Sequence, residues 1–147
     1  EHVWSIYHLG AALRTLGRLD QAVEEYNRAL TIDAGLAWAT HNRGLIRSRQ
    51  DQYTAAIEDF DKTLEADANY AWAYYDRGFA YLKQKRYALA IADFTKATAI
   101  APSFPSVYYW RATAYLGVGQ KGRCRRDMQK AVRIGSPAAR KWLADRP

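Results

Sequence analysis

The chain has 147 residues, of which 49% are hydrophobic and 25% charged, with a formal net charge of +7; it carries enough apolar material to fold and too much for a disordered segment. No run of about 18 apolar residues occurs, which argues against a helical membrane span. The single cysteine, Cys124, excludes an internal disulfide framework and a cysteine-based zinc site. It does not fix the compartment: the cytoplasm is favoured, and a periplasmic or secreted setting stays open.

The charge is unevenly placed. Residues 1–104 hold 12 Lys and Arg against 13 Asp and Glu, whereas residues 105–147 hold 10 against 2. The basic character belongs to the C-terminal quarter. There is no initiator Met and no basic-then-apolar leader, and Glu1 already stands in a helical pattern. The chain therefore reads as cut from a longer protein or as having lost a leader.

A 34-residue period organises the sequence. Ala37-Trp38-Ala39 returns as Ala71-Trp72-Ala73, Arg43-Gly44 as Arg77-Gly78, and Asp59-Phe60 as Asp93-Phe94. Residues 37–70 set on 71–104 without a gap share 12 identities. A fixed period of this length marks a solenoid, whose units bury their apolar faces on one another. Repeat boundaries fall at about 3–36, 37–70, 71–104 and 105–136. Within each repeat, positions 1–14 carry apolar residues at helical spacing, as in Ile6, Leu9, Gly10 and Leu13. Positions 18–31 do so again, as in Ala22, Val23, Tyr26, Ala29 and Leu30. A short polar turn such as Gly17-Arg18 or Asp51-Gln52 separates the two, giving helix A, turn, helix B.

The repeated positions have readable roles. Position 8 is Gly10, Gly44, Gly78 and Ala112; position 20 is Ala22, Ala56, Ala90 and Cys124. These small residues let the two helices approach, beside the bulky Tyr26, Phe60, Phe94 and Met128 of position 24. Pro102 stops the third helix B. Position 7 is Arg43, Arg77 and Arg111 in the same three repeats in which position 23 is Asp59, Asp93 and Asp127. That co-occurrence predicts an Arg–Asp ion pair between helices A and B, within a repeat or across a repeat boundary. In the fourth repeat Lys121 and Arg125 replace the apolar residues of positions 17 and 21. Ser136-Pro137 then reads as an N-cap and first turn. It opens a short helix over about 137–145 whose Trp142 and Leu143 cover the last apolar face near Val132. The array thus ends at this helix, while no comparable cap precedes the first repeat, so further repeats or another domain are expected upstream.

This register of small and large residues resembles the tetratricopeptide repeat (TPR) family over about residues 3–136. The matches include Leu9-Gly10, Tyr81, Tyr115 and the sets at positions 8, 20, 24 and 27, the last being Ala29, Thr63, Ala97 and Ala131. Arg43, Arg77 and Arg111 at position 7, and Arg47 at position 11, depart from the family pattern. The resemblance implies an all-α fold. It is a right-handed α-α superhelix (TPR solenoid) of four helix-turn-helix repeats plus a C-terminal capping helix, one TPR domain over 1–147. It further implies a non-enzymatic interaction module for a protein or peptide partner, with helices A lining the concave side.

Helical spacing then sends positions 2, 5, 6 and 9 to the concave face. The candidate peptide-binding residues are Trp4, Tyr7, His8, Trp38, His41, Asn42, Leu45, Trp72, Tyr75, Asp76, Phe79, Tyr109 and Trp110. Position 2 supplies three of the five tryptophans. One reading packs these rings against neighbouring helices. The other leaves them as binding hot spots, the usual role of Trp and Tyr on a groove. A mixture is expected, with ring faces packed and edges available to an extended peptide or a short helix. The family's carboxylate clamp for acidic C-termini is not expected: of the positions it needs, only Asn42 carries the required residue, and Tyr7, Ala11, Trp72 and Asp76 stand at the others.

Other signals point less far. Gly117, Gly119 and Gly122 fit a G-x-G-x-x-G pattern, but a helical segment precedes them where a dinucleotide site needs a strand. Lys121, Arg123, Arg125, Arg126, Lys130 and Arg133, extended by Arg140 and Lys141, form a basic stretch. It reads first as a solvated face, then as a dock for an acidic protein, anionic lipid or nucleic acid, the last disfavoured because no recognition motif accompanies it. His2, His8 and His41 stand in no metal or nucleophile motif, and no cofactor is called for. The alternative function is self-association or assembly, or docking of an acidic partner or nucleic acid on the basic C-terminal repeat.

Overall fold

The computed structural model describes residues 2–146. Glu1, read above as helical, lies outside the described residues, as does Pro147. Every regular element among the described residues is an α-helix. They are α1 (Val3–Thr15), α2 (Leu19–Ile32), α3 (Ala37–Arg49), α4 (Tyr53–Ala66), α5 (Ala71–Lys83), α6 (Tyr87–Ile100), α7 (Pro105–Gly117), α8 (Lys121–Arg133) and α9 (Pro137–Ala144). The chain divides into two compact units, Glu1–Ala73 and Tyr74–Pro147, with the division inside α5.

In the N-terminal unit α1 packs on α2 and α3 on α4, and α3 also lies against α2. The contact within each pair is set by a glycine under a ring. A Cβ placed on Gly10 would stand 2.7 Å from Tyr26 Cε1, and one on Gly44 would stand 2.7 Å from Phe60 Cε1. Both rings are fully buried. The face of α3 turned to the preceding pair carries Ala39 and Ile46. Ala39 joins Ile6 and Ala29 in one cluster, and Ile46 joins Leu13, Ala22 and Tyr26 in another. Positions 3 and 10 thus carry the stacking between repeats.

The C-terminal unit repeats the device. A Cβ on Gly78 would stand 2.9 Å from Phe94 Cε1. Phe94 centres a cluster with Leu82, Ala90, Ala97, Val107 and Ala114, and a second cluster gathers Tyr108, Ala112, Cys124, Met128, Ala131 and Ala139. Ser136 caps α9, its Oγ accepting the Ala139 N–H at 3.2 Å. Trp142 and Leu143 pack against the second cluster together with Val132, closing the apolar face that α8 presents.

The turn inside each pair uses one left-handed residue at the same repeat position: Gly17 (φ 74°), Asp51 (φ 59°), Lys85 (φ 59°) and Gly119 (φ 75°). Gly119 thereby accounts for one glycine of the G-x-G-x-x-G pattern, which runs from the end of α7 into α8 with no strand beside it. A left-handed conformation costs a side-chain-bearing residue roughly 1 kcal/mol that glycine avoids. Lys85→Gly is therefore expected to stabilise the protein by about 0.5–1 kcal/mol, read as a rise in denaturation midpoint with unchanged m-value. Lys85 is the cleaner site, because the Asp51 carboxylate accepts the Tyr53 hydroxyl at 2.6 Å and offsets part of its strain.

Candidate functional site

The ion pairs predicted from sequence form, and each lies within its own repeat. Asp59 is fully buried and accepts Arg43 Nη2 at 2.6 Å and Arg47 Nη1 at 2.9 Å. Asp93 accepts Arg77 Nε and Nη2, both at 2.8 Å. Asp127 accepts Arg111 Nε at 2.7 Å and Nη2 at 2.9 Å. The guanidinium then reaches back to the preceding helix B: Arg43 Nη1 meets Asn27 Oδ1 at 2.7 Å, and Arg111 Nη1 meets the Thr95 and Thr98 hydroxyls at 3.2 Å. Arginine's planar fork lets one side chain tie three helices. These pairs fix how helices A present the neighbouring positions 2, 5, 6 and 9.

In the N-terminal unit the candidate residues form an edge-to-face chain of rings. Trp4 meets Tyr7 at 5.9 Å between centroids, Tyr7 meets His8 at 5.2 Å and Trp38 at 4.9 Å, and Trp38 meets the buried Tyr26 at 6.3 Å. Trp4 is 59% exposed, His8 is exposed, and Tyr7 and Trp38 are half-buried. Asn42 donates to the Trp38 carbonyl at 2.7 Å, which holds its amide on α3, and Leu45 is half-buried. Trp72, at the start of α5, is 53% exposed.

His41 differs from the sequence expectation. It is 7% exposed and lies between Phe60 at 5.8 Å and Tyr70 at 4.9 Å, so it packs inside the unit instead of facing a groove. The reason is the residue just ahead of the next helix A. Tyr70 folds back over position 5, and Phe104 does the same to Tyr75 at 4.9 Å. Sequence reasoning gave position 34 no role, although Leu36, Tyr70 and Phe104 recur there.

In the C-terminal unit Phe79 meets Trp110 at 5.1 Å and Trp110 meets Tyr109 at 5.0 Å, all three half-buried. Lys83 lies over the Phe79 ring at 5.6 Å. Asp76 is half-buried beside Tyr75. Burial, and next the Asp76 carboxylate, push the Tyr75 hydroxyl above its ordinary value, while hydrogen bonds with Trp110 and Ser106 pull it back. Tyr75 is thus a neutral phenol at physiological pH, able to donate and accept. These surfaces offer aromatic edges, a few amides and hydroxyls, and little charge. Among the described residues no cluster of His, Cys, Asp and Glu is placed to hold a metal.

The comparisons with known proteins agree with this architecture. The family model described as a tetratricopeptide repeat matches residues 71–104, and the model described as a TPR repeat matches 10–51 and 46–85. The chain belongs to the tetratricopeptide repeat family. Its repeats are of the kind found in crystal structures of MamA. One aligns at 26% identity and TM-score 0.84 over 90% of this chain and 73% of that one. A second aligns at 25% and 0.86 over 95% and 81%. MamA from residue 41 to its end, from Desulfovibrio magneticus RS-1, aligns at 25% and 0.85 over 90% and 75%. No curated protein matches the chain in sequence at a significant level. The TPR solenoid is therefore the fold of this chain, and a protein-interaction scaffold is the function the fold supports. No helix among the described residues is long and apolar enough to cross a membrane.

Proposed function

We propose that the TPR helices bind an extended peptide or a short helix of a partner protein on the aromatic residues of positions 2, 5, 6 and 9, without a carboxylate clamp and without catalysis. The observation that carries this reading is the exposure of Trp4 and Trp72, 59% and 53%, at the same position of their repeats. A large ring left in water on a helix whose other faces are packed is the usual anchor of a recognition surface. Trp38 has the mixed role, with its ring against Tyr7 and Tyr26. His41 is a support for this surface, since it is buried.

The test is a peptide selected from a displayed library on the purified protein. Trp4→Ala and Trp72→Ala are each expected to weaken it about tenfold, roughly 1.4 kcal/mol, with the thermal midpoint unchanged. Trp38→Ala is expected to lower both affinity and midpoint. Selected peptides that bind the Trp4→Ala/Trp72→Ala double variant as tightly as the wild type would overturn the proposal.

One further observation favours assembly as a second reading. Leu9 on α1 and Leu16 just after it are 46% and 71% exposed, a face that another copy can cover. Light scattering across concentrations separates the two: growth in mass that Leu9→Ser/Leu16→Ser abolishes supports self-association, and a constant monomer mass leaves the peptide reading.

A further inference from the structure

A cleft in the C-terminal unit lies apart from the aromatic positions. Its volume is about 480 Å³, and it is lined by Leu116 of α7, by Lys121, Gly122, Cys124 and Arg125 of α8, and by Trp142 and Arg146 at the end of α9. Leu116, Cys124 and Trp142 make an apolar floor, and among the described residues the rim is cationic with no carboxylate in the lining.

The cleft arises from how the repeat pattern changes here. At the start of α6, Tyr87 packs so closely on the end of α7 that a Cβ on Gly117 would stand 2.6 Å from its ring. The equivalent residue of α8 is Lys121. The space that a ring fills in the preceding repeat is left open here, and Lys121 and Arg125 border it.

Three features set the chemistry of an occupant. Lys121, Arg125 and Arg146 form no ion pair among the described residues, and Arg146 lies over the Trp142 ring at 4.9 Å. The first turn of α8 has no side-chain cap, so its N–H groups add positive potential on the same side. Burial pushes the Cys124 thiol up, so the floor stays neutral at physiological pH. A cavity of this volume with an apolar lining and a few charges at one edge has the size and balance of a small-molecule site. A partner helix or peptide strand would instead need a longer open surface.

We propose that this cleft binds a small amphipathic anion, an apolar chain laid on Leu116, Cys124 and Trp142 with a carboxylate head held by Lys121, Arg125 and Arg146. The guanidinium forks suit a carboxylate in a bidentate contact. The site is independent of the peptide-binding surface.

The test uses decanoate as the probe, decan-1-ol as its uncharged counterpart and oligoglutamate as an anion without an apolar chain, each followed by amide chemical shifts of the labelled protein. Gly122 lines the cleft, and a Cβ there would meet nothing within 4 Å, so Gly122→Leu adds bulk at the lining from an unobstructed Cβ. Decanoate is expected to give saturable shifts centred on Leu116, Gly122, Trp142 and Arg146. Its affinity is expected to fall at least tenfold in Arg125→Gln/Arg146→Gln and to vanish in Gly122→Leu, with the spectrum of the fold retained in both. Decan-1-ol and oligoglutamate are expected to bind at least tenfold more weakly. Four outcomes overturn the proposal: decanoate shifts spread over Trp4 and Trp72, equal binding of decan-1-ol, tighter binding of oligoglutamate, or decanoate affinity unchanged in Gly122→Leu.

Discussion

Asp59→Ala is expected to destabilise the protein by about 3–5 kcal/mol. Asp59 is fully buried and balances two arginines, Arg43 and Arg47, neither of which is solvent-exposed. Removing the carboxylate leaves two cations facing each other in a place that water reaches poorly. The same substitution at Asp127 is expected to cost less. Arg111 keeps the Thr95 and Thr98 hydroxyls, and the Asp127 side chain retains 12% exposure. Denaturant melts of Asp59→Ala, Asp127→Ala and Arg43→Ala/Asp59→Ala provide the check. The double variant should recover part of the loss, because the penalty lies in the unpaired charge more than in the lost bond. A cost below about 1 kcal/mol for Asp59→Ala would mean that the pair behaves as a surface contact.

Gly44→Ala is expected to destabilise by about 2 kcal/mol, although alanine is the better helix former by roughly 1 kcal/mol. The new methyl would sit 2.7 Å from Phe60 Cε1, inside contact distance of a ring with no exposed surface. The chain itself contains the compensated form. Where position 8 is Ala112, position 24 is Met128, and the two share one core cluster. Methionine's unbranched thioether yields where a ring does not. Phe60→Met alone is expected to cost up to about 1.5 kcal/mol. The Gly44→Ala/Phe60→Met pair should be less destabilised than the sum by about 1–2 kcal/mol. Strict additivity in that cycle would show that the two positions do not press on each other.

Much of the fold is legible in one repeat laid on the next. The 34-residue period, glycine under a bulky side chain, the Arg–Asp co-occurrence and the Ser136-Pro137 cap are local or pairwise patterns, and each maps onto a helix, a close approach or a hydrogen bond. The positions that join one repeat to the next were harder to read. Ala39, Ile46 and Ala73 are common apolar residues whose spacing fits any buried helix face, so only stacking reveals their role. Tyr70 and Phe104 were no easier to read, since they sit just before a helix and reach back over helix A of their own repeat.

The candidate site shows that division residue by residue. Sequence alone determined that helix A carries its aromatic residues at positions 2, 5, 6 and 9, which 3.6 residues per turn bring near one another. It could not decide which of those rings reach water. Trp4 and Trp72 do, Trp38 only in part, and His41 hardly at all, though all four stand at positions assigned to one face. The period fixes direction within a helix, whereas exposure depends on what a side chain from another helix or linker lays on top, and that is settled only when the helices pack.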